Sequence, residues 1–250
     1  MFIDTHAHLN FDPFYKDVEP YIERASINNV GKIIVPAVDL DSSEKSMILA
    51  NKYNEIFTAV GVHPHDSEKA DSNYLKIVED FASEKKVIAI GEIGLDYFRD
   101  YADENTQKWI FQEQLELAKS LNVPVIIHNR NADDDVFKIM NKVNYFHGQM
   151  HCFGSDVDFA NLILSKGMLV SFTGVITFSK KASKVAKELP LDKLMIETDS
   201  PFMAPIPFRG KTCEPSFVVE VAKKYSEIFD IDLAEVEKIT TKNAEMLFGI

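Results

Sequence analysis

The chain has 250 residues, 46% of them apolar and 26% charged, with 27 basic against 39 acidic side chains and a formal net charge of −12. This composition excludes a disordered or collagen-like chain. The acidic balance excludes polyanion binding through a broadly basic surface but leaves room for a local cationic site. Two cysteines, Cys152 and Cys213, are too few for a disulfide framework. With no basic N-terminal region and no run of about 20 apolar residues, the expectation is a cytoplasmic protein without membrane contact.

Eight short apolar runs read as strands, at residues 2–5, 32–37, 56–62, 87–90, 123–127, 149–152, 168–172 and 194–196. Most are β-branched or aromatic and nearly continuous, as parallel strands covered on both faces should be. Helical patterns fill the gaps. Residues 42–53 open with a serine and a glutamate in the first turn. Over 102–121, Trp109, Phe111, Leu115, Leu117, Ala118 and Leu121 alternate with charged and amide residues at helical spacing. Residues 156–166 run into Gly167, a C-cap, and two last helices are predicted at 215–229 and 233–248. This alternation predicts a single-domain (β/α)8 TIM barrel over residues 1–250, with an open doubly wound sheet as the alternative. Residues 200–215, with prolines at 201, 205, 207 and 215, follow the last strand and should form a long loop on the barrel's C-terminal face.

Five apolar runs end in histidine or carboxylate: Ile3-Asp4-Thr5-His6-Ala7-His8, Ala89-Ile90-Gly91-Glu92, Val125-Ile126-Ile127-His128, Met150-His151 and Met195-Ile196-Glu197-Thr198-Asp199. In a parallel barrel all strand C-termini reach one face, so these residues converge. His6 and His8 are two apart and share a side of their strand. Alone, such a pair reads as well as strand-end histidines bonded to carbonyls. Together, His6, His8, His128, His151, Glu92 and Asp199 form a mixed nitrogen and oxygen set that suits Zn²⁺ or Mn²⁺, and Mg²⁺ less comfortably. Glu92 can hold one ion on each oxygen. Asp199 can ligate a metal and accept a proton, or merely cap the following turn.

These segments, with Gly61-Val62-His63-Pro64-His65, Glu92-Ile93-Gly94-Leu95-Asp96-Tyr97, His151-Cys152-Phe153, Ser171-Phe172-Thr173-Gly174, Glu197-Thr198-Asp199-Ser200-Pro201, Arg209-Gly210-Lys211 and Asn243-Ala244, resemble the TatD family of metal-dependent hydrolases. The resemblance runs from residue 4 to residue 249. It implies two divalent ions (Mg, Mn or Zn), one held by His6, His8 and Asp199, the other by His128 and His151, with Glu92 between them. The family includes deoxyribonucleases. Related barrels often bridge their metals with a carbamylated lysine, whereas here Glu92 occupies that place. Three segments depart from the family's usual pattern: Asn129 before Arg130, Gly154-Ser155-Asp156, and Thr212-Cys213-Glu214-Pro215. None removes a ligand.

The expected reaction is hydrolysis of a phosphodiester by a metal-activated water, with Asp199 as general base, Glu92 as the catalytic bridge and single-stranded DNA ends as substrate. The resemblance places His63 beside the site, and Arg130 and Arg209 are the phosphate-binding candidates. Lys211 could add a charge, and Tyr97, Phe98, Phe202 and Phe208 could stack on bases. His65 is a weaker candidate, His147 reads as structural and Cys213 as no nucleophile. Small amide, ester or phosphoester hydrolysis is the alternative, and a non-catalytic metal- or nucleic-acid-binding protein a more distant one. No obligatory protein partner is indicated.

Overall fold

A computed structural model describes residues 1–250. Its strands are β1 (Phe2–Asp4), β2 (Val30–Pro36), β3 (Ile56–Val60), β4 (Val87–Asp96), β5 (Val125–Arg130), β6 (Gly148–Met150), β7 (Leu169–Phe172) and β8 (Leu194–Ile196). They form one sheet in the order β1-β2-β3-β4-β5-β6-β7-β8, every pair parallel. The two edges meet just beyond the strands. Thr5 N–H donates to Ile196 O at 3.2 Å, Asp199 N–H to His6 O at 2.8 Å and His8 N–H to Ser200 O at 2.8 Å. Asp4 reinforces the seam, accepting from Thr198 N–H at 2.9 Å with its second oxygen 2.6 Å from Thr198 Oγ1. The sheet is therefore a closed barrel, and the open-sheet alternative is excluded.

The helices are α1 (Glu19–Ile27), α2 (Leu40–Lys52), α3 (Tyr74–Ala82), α4 (Glu104–Leu121), α5 (Asp133–Val143), α6 (Val157–Ser165), α7 (Lys180–Lys187), α8 (Val218–Phe229) and α9 (Leu233–Phe248). Each buries its apolar stripe against the strands, and the main core lies in that shell. The start of α2 differs from the expected one. Asp39, not Ser42, is the N-cap, and Asp39 and Ser42 satisfy each other's backbone N–H groups in a capping box. Helix α6 starts as read, with the Asp156 carboxylate accepting from Phe159 N–H, but its C-cap is Lys166, one residue before the expected Gly167.

Inside the barrel, Ile3, Ile34, Ala89, Ile126 and Met195 pack with Ala244 and Phe248 of α9. The barrel also holds a buried polar group. Gln149 Nε2 donates to Thr5 Oγ1 at 3.0 Å and lies 2.6 Å from Ser171 Oγ and 2.8 Å from Glu197 Oε2. No helix is long and apolar enough to cross a membrane.

The largest departure from the predicted elements is β4, expected to stop at Ile90 with the end of its apolar run. It continues to Asp96 through a register shift against β5 between Ile90 and Ile93. Gly94 makes this possible. It sits at φ 141°, and a Cβ there would lie 1.9 Å from His128 O. Only glycine lets β4 approach the backbone that carries His128.

Candidate metal centre

Strand closure sets the geometry of the site. Glu92 N–H crosses to Ala37 O at 2.8 Å, fixing the carboxyl at the barrel mouth, where it is 3% exposed. Its two oxygens face different partners. Oε2 lies 3.3 Å from His6 Nε2 and 3.6 Å from His8 Nε2. Asp199 Oδ1 joins that side, 3.8 Å from His6 Nε2 and 3.5 Å from His8 Nε2. Oε1 lies 2.9 Å from His128 Nδ1, 2.7 Å from His151 Nε2 and 3.4 Å from His63 Nε2.

The spacing of the ring nitrogens tests whether a metal fits. His6 Nε2 and His8 Nε2 are 3.2 Å apart, and His128 Nδ1 and His151 Nε2 are 3.3 Å apart. Two imidazoles bound to one zinc at about 2.0–2.1 Å in tetrahedral geometry hold their nitrogens about 3.3–3.4 Å apart. Each pair therefore has the span of two ligands to one ion. The donor set fits a metal.

The sequence matches the family described as TatD related DNase over residues 3–249. The chain belongs to the TatD family. It is 41% identical to the metal-dependent hydrolase YabD of Bacillus subtilis, with 100% of both chains covered. It is 32% identical to the metal-dependent hydrolase YcfH of Escherichia coli K12, covering 99% of this chain and 96% of that one. Among solved structures, the TatD homologue YjjV of Escherichia coli K12 superposes with a TM-score of 0.94 at 33% identity, over 100% of this chain and 98% of that one. A TatD family hydrolase of Entamoeba histolytica gives 0.92 at 27% identity, over 99% and 97% of the two chains. This chain is thus a metal-dependent hydrolase with a buried His/Glu/Asp cluster able to bind metal.

The electrostatics of this TatD centre follow from burial and mutual charge. Burial raises the Glu92 carboxyl, but the charges of His151, His63 and His6 outweigh it and hold the group well below its ordinary value. Burial likewise opposes ionisation of Asp199, and its bond to His8 wins, leaving it lowered. His6 is lowered by burial and then by His151. His128 and His151 are raised despite burial, His128 by bonds to Asp96 and Glu92 and His151 by Glu92 and Glu197. Burial pushes His63 down to about 4.

His63 does not end β3. It is the N-cap of a 3₁₀ turn, Pro64–Lys69, and its Nδ1 accepts from His65 N–H at 3.1 Å. The neutral ring must then carry its proton on Nε2, which faces Glu92. His63 is therefore a hydrogen-bond donor toward the centre.

Behind His128 lies a group that the sequence reading quoted but did not assign. Asp96 Oδ2 is 3.1 Å from His128 Nε2 and 2.8 Å from His65 Nε2, while Asp96 Oδ1 accepts from Phe98 and Arg99 N–H at 2.9 and 3.0 Å. Glu197 was missed in the same way. Its Oε1 lies 3.7 Å from His151 Nδ1 and accepts from Cys152 N–H. The available signal was a carboxylate two or four residues from a ligand, inside a buried run.

The centre opens into a cavity of about 1000 Å³ lined by His63, His65, Arg99, Arg130, Lys181 and Phe202 among others. Arg130 is there as expected, its guanidinium 4.0 Å over the Phe98 ring. Arg209 does not line the cavity. It lies 3.9 Å over Phe178 and donates to Ala204 O at 3.0 Å. Lys211 is likewise outside, over Phe208. Tyr97 donates to Asp135 at 2.8 Å and is not on the cavity wall, whereas Tyr101 is. His147 lies beside Tyr145, away from the centre. Cys213 is buried and its thiol is pushed up by burial, so it is no nucleophile.

Proposed function

We propose that the chain is a deoxyribonuclease acting on single-stranded DNA ends, with one divalent cation on each side of Glu92. The observation that carries the two-cation reading is the division of histidines between the two oxygens of that one carboxylate. His6, His8 and Asp199 would hold one ion and His128 and His151 the other, with Mg²⁺, Mn²⁺ and Zn²⁺ as candidates. Bound cations supply Lewis-acid stabilisation of developing charge and lower the pKa of water. The protein supplies the rest. Asp199, kept ionised by its partners and 8% exposed at the mouth, is placed to accept the proton of the attacking water. His63 offers an N–H to oxygen charge beside Oε1. Arg130 and Arg99 offer guanidinium donors to the substrate's phosphates. The family's description as DNases supports a phosphodiester substrate. The bounded cavity favours a small phosphoester as the second reading.

A labelled single-stranded oligonucleotide tests this with Mg²⁺, Mn²⁺ and Zn²⁺ in turn. Cleavage is expected, abolished by chelator and reduced about 10²–10⁴-fold in Asp199→Ala. Unchanged cleavage by that variant would overturn the general-base role. No cleavage with any of the three ions, together with hydrolysis of a nitrophenyl phosphodiester, would move the assignment to small substrates.

A further inference from the structure

Residues 173–187 and 200–213 contain Lys180, Lys181, Lys184, Lys187, Arg209 and Lys211 and not one Asp or Glu, in a chain whose net charge is −12. All six cations are exposed. Ten lysines elsewhere have a carboxylate partner, among them Lys76 with Asp80, Lys108 with Asp135 and Lys224 with Glu227. None of the six has a carboxylate partner. Lys181 reaches only Gly154 O, at 3.3 Å, and Arg209 and Lys211 lie over aromatic rings. Of the flanking acids, Glu188 is exposed beside Lys187 without an ion pair, Asp199 belongs to the centre, and Glu214 is held in a two-pronged bond by Arg24 at 2.8–3.0 Å.

The two segments form one surface. Ile206 N–H donates to Thr177 Oγ1 at 2.9 Å, and the loop packs so closely on Gly174 that a Cβ there would lie 2.1 Å from Met203 O. Arg209 bridges them by lying on Phe178. The surface is continuous with the cavity, since Ser179, Lys181, Ala182 and Val185 line it from one segment and Phe202 and Met203 from the other. Phe202 is 51% exposed and lines the same cavity as Lys181, and Phe178, 40% exposed, lies under Arg209.

Unpaired cations interleaved with exposed rings suit a single strand. Its phosphates take the charges, and its unstacked bases take the rings. A duplex offers no free base faces to Phe178 and Phe202. We propose that α7 and the 200–213 loop form a track for the part of a single-stranded nucleic acid lying outside the cavity. This proposal rests on the nuclease reading and extends it: affinity should rise with strand length beyond what the cavity holds.

The test compares binding of phosphorothioate oligothymidines of 2 and 12 nucleotides to the metal-loaded protein, by fluorescence anisotropy over a range of salt, in wild type and in Lys180→Gln/Lys184→Gln/Lys211→Gln. The three lysines are exposed and form no ion pair, so the fold is not at stake; thermal melting checks this. Wild type should bind the 12-mer at least about tenfold more tightly than the 2-mer. In the triple variant that gap should close, and the slope of log K against log salt should fall by about 2, at about 0.7 per lost phosphate contact. Equal affinity for both lengths in wild type, or an unchanged slope in the variant, overturns the track. Cleavage of a natural 12-mer is scored separately. Cleavage with length-independent binding sinks the track and leaves the nuclease reading standing. Length-dependent binding through these lysines without cleavage does the reverse.

Discussion

The two sides of Glu92 are built differently. On the Oε2 side, two histidines come from one segment, two residues apart, and Asp199 adds a second carboxylate from across the barrel seam. On the Oε1 side, His128 and His151 come from neighbouring strands, Asp199 comes within 4.8 Å of a His151 nitrogen, and Asp96 and Glu197 stand behind the rings. The first side attracts a cation by charge. The second depends on which nitrogen of each imidazole carries the proton, and for His128 that is set by its bond to Asp96. Loss of charge should therefore damage the first side most, and loss of a hydrogen-bond acceptor the second.

Glu92→Gln strikes both sides and should have the largest effect. Glutamine has one acceptor oxygen, and its amide hydrogens would point at a set of nitrogens that must offer lone pairs. Metal content by elemental analysis should fall from two equivalents to one or fewer, and kcat by about 10³-fold or more. Two full equivalents in this variant would show that Glu92 bridges nothing.

Asp96→Asn separates the sides and should have a smaller effect. The asparagine oxygen can still accept from Phe98 and Arg99 N–H, so the turn is kept. Its amide nitrogen, however, would face His128 Nε2 and His65 Nε2 as a donor. His128 would then accept at Nε2 and carry its proton on Nδ1, toward Oε1. Affinity for the ion on that side should drop about 10–100-fold while the other ion is retained. Asp96→Ala, which leaves His128 free to choose its tautomer, should lose less. If the asparagine variant keeps both ions as tightly as wild type, the tautomer argument fails.

The convergence of the candidate ligands was legible in the sequence because parallel barrel topology forces strand C-termini together, whatever their distance along the chain. His6 and Asp199 meet for that reason. Residues whose role depends on which atom they face were not legible. Asp96 and Glu197 stand in quoted motifs, but nothing in their spacing says that Asp96 bonds the far nitrogen of His128 or that Glu197 lies 3.7 Å from that of His151. Strand β4 runs on past the apolar run that ends at Ile90, because Gly91 packs against Ile126 and Gly94 against the His128 carbonyl, approaches that an apolar pattern does not show. Arg209 was placed at the site by its loop. A loop has no periodicity to fix side-chain direction, and the Phe178 ring takes the guanidinium instead.

The smallest predicted effect uses pH to read the same asymmetry in the metal-free protein. Glu92 and Asp199 are held below their ordinary values, so their contribution to stability is present above about pH 4 and is lost as pH falls through their folded values. His6 and His63 are lowered, so they destabilise progressively below about pH 6.5. His128 and His151 are raised, so their contribution is complete below about pH 6.5 and is lost as pH rises through their folded values. Chelated protein should accordingly be most stable near pH 6–7 and lose stability toward pH 9, as the protons on the Oε1-side histidines leave. Each tenfold change in proton affinity is worth about 1.4 kcal/mol, or roughly 3–5 °C in Tm for a chain of this size. Cations replace those protons in the loaded protein, so its Tm should not fall over this range and the gap between loaded and chelated samples should widen from pH 6.5 to 9. Differential scanning fluorimetry at several pH values measures that gap. A gap independent of pH would mean that protons on His128 and His151 do not substitute for a metal. The widening should vanish in Asp96→Asn if the His128 ring is what drives it.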